Sequence, residues 1–274
     1  AFNTHKKIAY VSNKKLNEYV VNQKYNNAYC YYNTKQYKSA IEYFKIFENN
    51  SKDSIYLNDT YLRLADSYFM RKNYFKAYEY YQKTINYSLF DIDYALYKSS
   101  IAAGLLNKNL DKLKNLKKIV SDFPESIYYD VSLYDLANYY KAINNYDLSL
   151  KYYSQVIEFS SESNLLSGSY LGKGMLYLNN NEYNKSLDNF FTVTNKYSKT
   201  KYFKEAISGI ERAYTSLGKI EDYLVFIEGL PNYSLSKLQQ DTLIYNTAFI
   251  KFSEKNYESA NEIFKKYLND FADG

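Results

Sequence analysis

A single beat governs what this chain can fold into. Tyr37, Tyr74, Leu110, Tyr146, Tyr183, Ile220 and Tyr257 stand 37, 36, 36, 37, 37 and 37 residues apart. Three residues after each comes an echo: Ala40, Ala77, Leu113, Ser149, Ser186, Tyr223 and Ala260. Self-similarity at this period is the mark of a repeat array, in which each unit buries its apolar face against its neighbours. The expectation is an all-α solenoid of about seven helical hairpins, with period 36–37 and no sheet.

The second unit serves as template. Tyr61, Leu64, Ala65 and Tyr68 recur at helical spacing, Arg71-Lys72-Asn73 makes a turn, and Tyr74, Ala77, Tyr78 and Tyr81 share one face of a second helix. Small residues sit at fixed places in both helices, Ala28, Ala65, Ala137, Gly174 and Ala248 in the first, Ala40, Ala77, Ser149, Ser186 and Ala260 in the second. They let antiparallel helices approach to about 8–10 Å while large rings fill the remaining space. The units fall near 21–54, 55–90, 91–126, 127–163, 164–200, 201–236 and 237–274, with residues 1–20 expected to hold one helix of an earlier repeat and the approach to the first clear one. The third and sixth units are looser, and the two prolines, Pro124 and Pro231, follow their second helices and end them. The last residues, Asp270 to Gly274, stop where a further repeat would follow, so a piece of a longer array is expected.

Two prolines and eight glycines in 274 residues exclude collagen-like or linker-rich character. No apolar run approaches the ~18 residues that a membrane-spanning helix needs. The net charge of +5 comes from 35 basic and 30 acidic residues, too even a balance for a nucleic-acid stripe. Lys6-Lys7, Lys14-Lys15 and Lys117-Lys118 read as solvated helix faces. Cys30 reads as a buried, inert thiol within a helix.

Tyr61-x2-Leu64-Ala65-x2-Tyr68 followed by Ala77-x3-Tyr81 resembles the tetratricopeptide repeat, a hairpin of ~34 residues with the pattern W-x2-L-G-x2-Y, then A-x3-F. Leu133-x2-Leu136-Ala137-x2-Tyr140, Tyr170-x2-Lys173-Gly174-x2-Tyr177, Ala40-x3-Phe44 and Ala260-x3-Phe264 are similar. The resemblance covers residues 20 to 274 and implies a right-handed superhelix whose first helices line a concave groove. The longer period implies slightly longer helices or connections. The wording of the units, as in Leu116 to Ser126, also looks like that of long multi-repeat proteins of Bacteroidetes-type bacteria and of envelope tetratricopeptide proteins. That likeness implies a bacterial cell-envelope role, periplasmic or outer-membrane-associated rather than cytoplasmic.

Catalytic sets are not visible. One histidine, His5, and one cysteine cannot assemble a zinc site or a nucleophile–base pair, so no metal or cofactor is expected and the chain does not read as an enzyme. Gly168 to Gly174 lacks the spacing of a phosphate loop and reads as helix-packing glycine. Asp91 and Asp93 read as a helix N-cap. Glu42 and Glu48 read as exposed helix-face residues.

What remains is a surface. The repeat register and the resemblance together place Tyr29, Tyr32, Asp66, Phe69, Asn138, Lys141, Met175, Leu178, Arg212, Thr215, Phe249 and Phe252 toward the groove. Aromatics with arginine are the usual substance of binding hot spots; the alternative is that some of these residues pack against adjacent units. The expected function is a non-catalytic scaffold that holds a protein or peptide partner, not nucleic acid. The competing readings are an RNA-binding repeat of pentatricopeptide type and the repeat domain of a larger enzyme or anchored protein.

Overall fold

The computed structural model describes residues 19–231 and 233–271. Every regular element among them is a helix. They are α1 (19–33), α2 (Tyr37–Asn50), α3 (Ser54–Met70), α4 (Tyr74–Tyr87), α5 (Ile92–Leu105), α6 (Asn109–Asp122), α7 (Tyr129–Ala142), α8 (Tyr146–Phe159), α9 (Ser163–Asn179), α10 (Tyr183–Lys196), α11 (Phe203–Leu217), α12 (Ile220–Glu228), α13 (Lys237–Ser253) and α14 (Tyr257–Asp270). Consecutive odd and even helices pair into hairpins. The chain divides into two compact units after Leu136, within α7. Residues 1–18, which include His5, Lys6, Lys7, Lys14, Lys15 and most of the expected N-terminal helix, lie outside the described residues; residues 19 and 20 already belong to α1.

Each hairpin turns through the same joint. Lys35, Lys72, Asn107, Asn144, Asn181, Gly218 and Lys255 all have φ between 56° and 74°. The amide of each bonds back three residues, and the next amide bonds back five, as in Lys72 N to Phe69 O at 2.9 Å and Asn73 N to Tyr68 O at 2.9 Å. This Schellman closure satisfies carbonyls that the end of a helix would otherwise orphan. The next residue caps the second helix where it is asparagine: Asn73, Asn145 and Asn256 accept from the amides of Lys76, Leu148 and Ser259.

The joints correct the register of the third hairpin. Its second helix begins at Asn109, not Leu110, and Leu110 is 78% exposed. Lys112 therefore stands where every other hairpin but the sixth, which has Tyr223, carries Ala or Ser. The helix of Leu residues offered the sequence a false echo, one residue late.

The small positions hold. In 1–136, Ala28, Ala40, Ala65 and Ala77 are fully buried, and Phe44 and Tyr81 fill the space beside them without exposure. In 137–274, Phe190 is wedged between two first helices. A Cβ on Gly174 would lie 2.4 Å from its ring, and one on Gly209 would lie 2.5 Å from it. Tyr153 fills the space beside Gly172 in the same way, at 2.4 Å. Gly172 and Gly174 are thus packing residues within α9, as the sequence implied.

Three sequence expectations change. Cys30 is exposed on α1 rather than buried, because it lies on the face of α1 away from the buried Ala28. Asp91 occupies the N-cap position of α5 in a left-handed conformation but makes no side-chain cap bond, and Asp93 instead accepts from the Ser126 hydroxyl. Glu48 is partly buried, accepting from the Tyr80 hydroxyl at 3.0 Å and pairing with Lys83 at 2.7 Å.

Candidate functional site

The first helices of 1–136 carry a knot of tyrosines around two carboxylates and one guanidinium. Residues four apart share a helix face, so Tyr25 and Tyr29 on α1 face Asp59, Arg63 and Asp66 on α3. The hydroxyls of Tyr25 and Tyr29 donate to Asp59 Oδ2 at 2.8 and 2.7 Å. Arg63 Nε donates to Asp59 Oδ1 and to the Tyr29 hydroxyl, and Arg63 Nη1 donates to Asp66 Oδ2 at 3.3 Å. Asp66 also accepts from Tyr32 (3.1 Å), Tyr81 (2.7 Å) and Tyr94 (2.8 Å). The guanidinium stands 5.9 and 5.6 Å from the Tyr29 and Tyr32 ring centroids, a cation–π arrangement.

The electrostatics follow. Burial disfavours the Arg63 charge, but adjacent Asp59 and Tyr29 outweigh it and raise its pKa further. Burial, then Asp66, pushes the Tyr32 phenol up to about 12. Burial and Asp66 raise Tyr81 and Tyr94 in the same direction, and burial with Asp59 raises Tyr25 and Tyr29. Every hydroxyl is held protonated as a donor and both carboxylates accept several bonds. Such a knot positions helices and side chains.

The sequence-derived groove residues divide accordingly. Tyr29, Tyr32 and Asp66 are members of the knot, and Asp66 is only 5% exposed. Phe69 is partly buried, packing on Tyr74 at 5.4 Å, with the Lys98 ammonium 5.5 Å from its ring. In 137–274, Asn138 is partly buried and accepts from the Tyr153 hydroxyl at 2.7 Å. Met175 and Leu178 belong to the core around Phe190 and Tyr223, Leu178 being buried. Lys141 and Arg212 are exposed, and Thr215 is partly buried. Phe249 and Phe252 are 54% and 53% exposed, and Phe252 meets Tyr257 edge to face at 5.6 Å. Sequence reasoning did not single out Tyr25, Asp59, Arg63 or Tyr94. Their signal was the Tyr25/Tyr29 and Asp59/Arg63 pairs at i,i+4, together with Asp66.

Among the described residues, no three His, Cys, Asp or Glu side chains stand together as metal ligands, and no helix is long and apolar enough to cross a membrane.

Residues 59–87, from within α3 to the end of α4, match the family model of the tetratricopeptide repeat. The fold is that of tetratricopeptide repeat proteins. A tetratricopeptide repeat protein from Parabacteroides merdae is 16% identical, with a TM-score of 0.58 over 91% of this chain and 92% of that one. The C-terminal part of a tetratricopeptide repeat-containing protein from Cytophaga hutchinsonii is 14% identical, with a TM-score of 0.57 over 91% and 96%. The structure of Naa15/Naa10 bound to HypK is 15% identical, with a TM-score of 0.53 over 93% of this chain but 37% of that one. No curated protein matches the chain by sequence. Tetratricopeptide repeats typically mediate protein–protein interaction.

Proposed function

We propose that the chain is a non-catalytic scaffold that docks a protein or peptide partner, not nucleic acid, on the first-helix face of 137–274. One observation carries this: Phe249 and Phe252, one turn apart on α13, are each more than half exposed. Exposed phenylalanines adjacent on one face are rare on surfaces that meet only water. Arg212 holds the equivalent place in the preceding hairpin, so the face combines rings with a guanidinium. The first-helix face of 1–136 offers less, since its tyrosines and Arg63 are committed to Asp59 and Asp66. The Naa15/Naa10 structure with HypK, a protein complex on a similar fold, supports the reading. A cell-envelope setting is part of the proposal, on the wording of the repeats alone; fractionation of host cells tests that part.

The test is capture from host extract, followed by titration of the identified partner with purified protein. Replacing Phe249 and Phe252 together by Asp should abolish binding while the helical circular-dichroism signal is kept. Undiminished binding by the double variant would overturn the choice of face, and turnover of a small substrate would overturn the scaffold.

A further inference from the structure

The sixth hairpin departs from its neighbours, and a pocket lies beside it. Helix α12 has nine residues, whereas α8 and α10 have 14. In the two preceding hairpins, the residue nine past the joint is a ring lodged against a glycine of the next first helix: Tyr153 on Gly172, Phe190 on Gly209. The same register positions in the sixth and seventh hairpins are Ile227 and Asn246. A branched aliphatic side chain and an amide stand in place of ring and glycine. Asn246 also lines a cavity of about 350 Å³ at the seam between α11 and α13. Leu235, Leu238 and Leu243 line it, with Gln239 and Asn246 supplying amides.

Glu211 also lines it, at the place where the other hairpins have Ala, Gly or, in the third, Ser100. Its Oε2 accepts from the buried Tyr223 at 2.9 Å. Among the described residues no Lys or Arg forms an ion pair with it. A carboxylate oriented by one hydroxyl, beside an aliphatic wall and without a counter-ion, complements a cation on an aliphatic stem. We infer that this pocket receives a lysine or arginine side chain of the docked protein partner, the stem along Leu235, Leu238 and Leu243 and the charge at Glu211. The inference rests on the scaffold reading and names one feature of the partner's chemistry.

The blocked pentapeptide Ala-Ala-Arg-Ala-Ala and its citrulline counterpart, which keeps shape but loses charge, are titrated into the full chain while the Thr242 and Asn246 amides are followed by nuclear magnetic resonance. The arginine peptide should shift these amides saturably, with a dissociation constant on the order of 1 mM. Citrulline should weaken the effect about tenfold, and so should Glu211→Gln, whose amide oxygen still accepts from Tyr223. Leu238→Asn, at a position 73% exposed, should weaken it as well without threatening the fold. Equal response to both peptides, an unaffected Glu211→Gln variant, or no shift at either amide would overturn the pocket. Because the scaffold is tested at Phe249 and Phe252, it can survive the loss of this pocket, and the two failures are distinguishable.

Discussion

The Tyr81 hydroxyl donates to Asp66 Oδ1 across 2.7 Å, joining the second helix of a hairpin to its first. Tyr153 makes the same reach to Asn138, also 2.7 Å and also across 15 residues. The two contacts differ in what surrounds the acceptor. Asp66 sits in a nest of three hydroxyls and a guanidinium, so its removal strands several buried donors and one of the two carboxylate partners of Arg63 is lost. Asp66→Ala should cost about 3–5 kcal/mol and Asn138→Ala about 1–3 kcal/mol. Urea unfolding compares them, and equal losses would mean that the knot contributes nothing beyond the shared bond.

The Phe190 wedge sets a second expectation. Gly174→Ala or Gly209→Ala drives a methyl into the ring and should destabilise by about 1–3 kcal/mol. Gly229→Ala is the control, since a Cβ there meets only backbone oxygens at 3.5 Å or more. Thermal melts in which all three variants coincide would show that Phe190 can yield.

Lysines at the joints should be improvable. Lys72 and Lys255 have φ of 60° and 62°, a conformation glycine adopts without steric cost. Lys72→Gly and Lys255→Gly should each gain up to about 1 kcal/mol, with asparagine intermediate. A lowered melting temperature for the glycine variants would contradict the left-handed joint.

Alkaline stability follows from the phenols. Tyr32 and Tyr97 are pushed up to about 12 from the ordinary 10.0, chiefly by burial and then by Asp66 and Asp135 respectively. The folded chain keeps protons that the unfolded chain releases near pH 10, so the stabilisation is complete below pH 10 and lost as pH rises toward 12. Absorbance of tyrosinate and circular dichroism should therefore change together above pH 10. Smooth ionisation of every tyrosine near 10 with the helices intact would refute this.

Most of the hairpin plan was legible in the sequence, because burial of Ala28, Ala40, Ala65 and Ala77 leaves a periodic trace. The third joint was misplaced because Lys112 breaks the small-residue echo and Leu110 and Leu113 mimic it one residue late. The left-handed joints were hidden where lysine occupies them, since lysine carries no turn signal. Met175 and Leu178 followed the groove register yet pack inward, and the register alone cannot say how far a long side chain bends toward the core. The tyrosine knot was half visible: Tyr29, Tyr32 and Asp66 were singled out, but pairing among hydroxyls and carboxylates on different helices is a tertiary fact.

The seven joints also bear on how such a chain can diverge. Each is closed by main-chain bonds, and the structure uses lysine, asparagine and glycine there interchangeably. Outward-facing chemistry at a bend can drift without moving the rods it connects, so related arrays can trade surface character hairpin by hairpin while their internal spacing stays put.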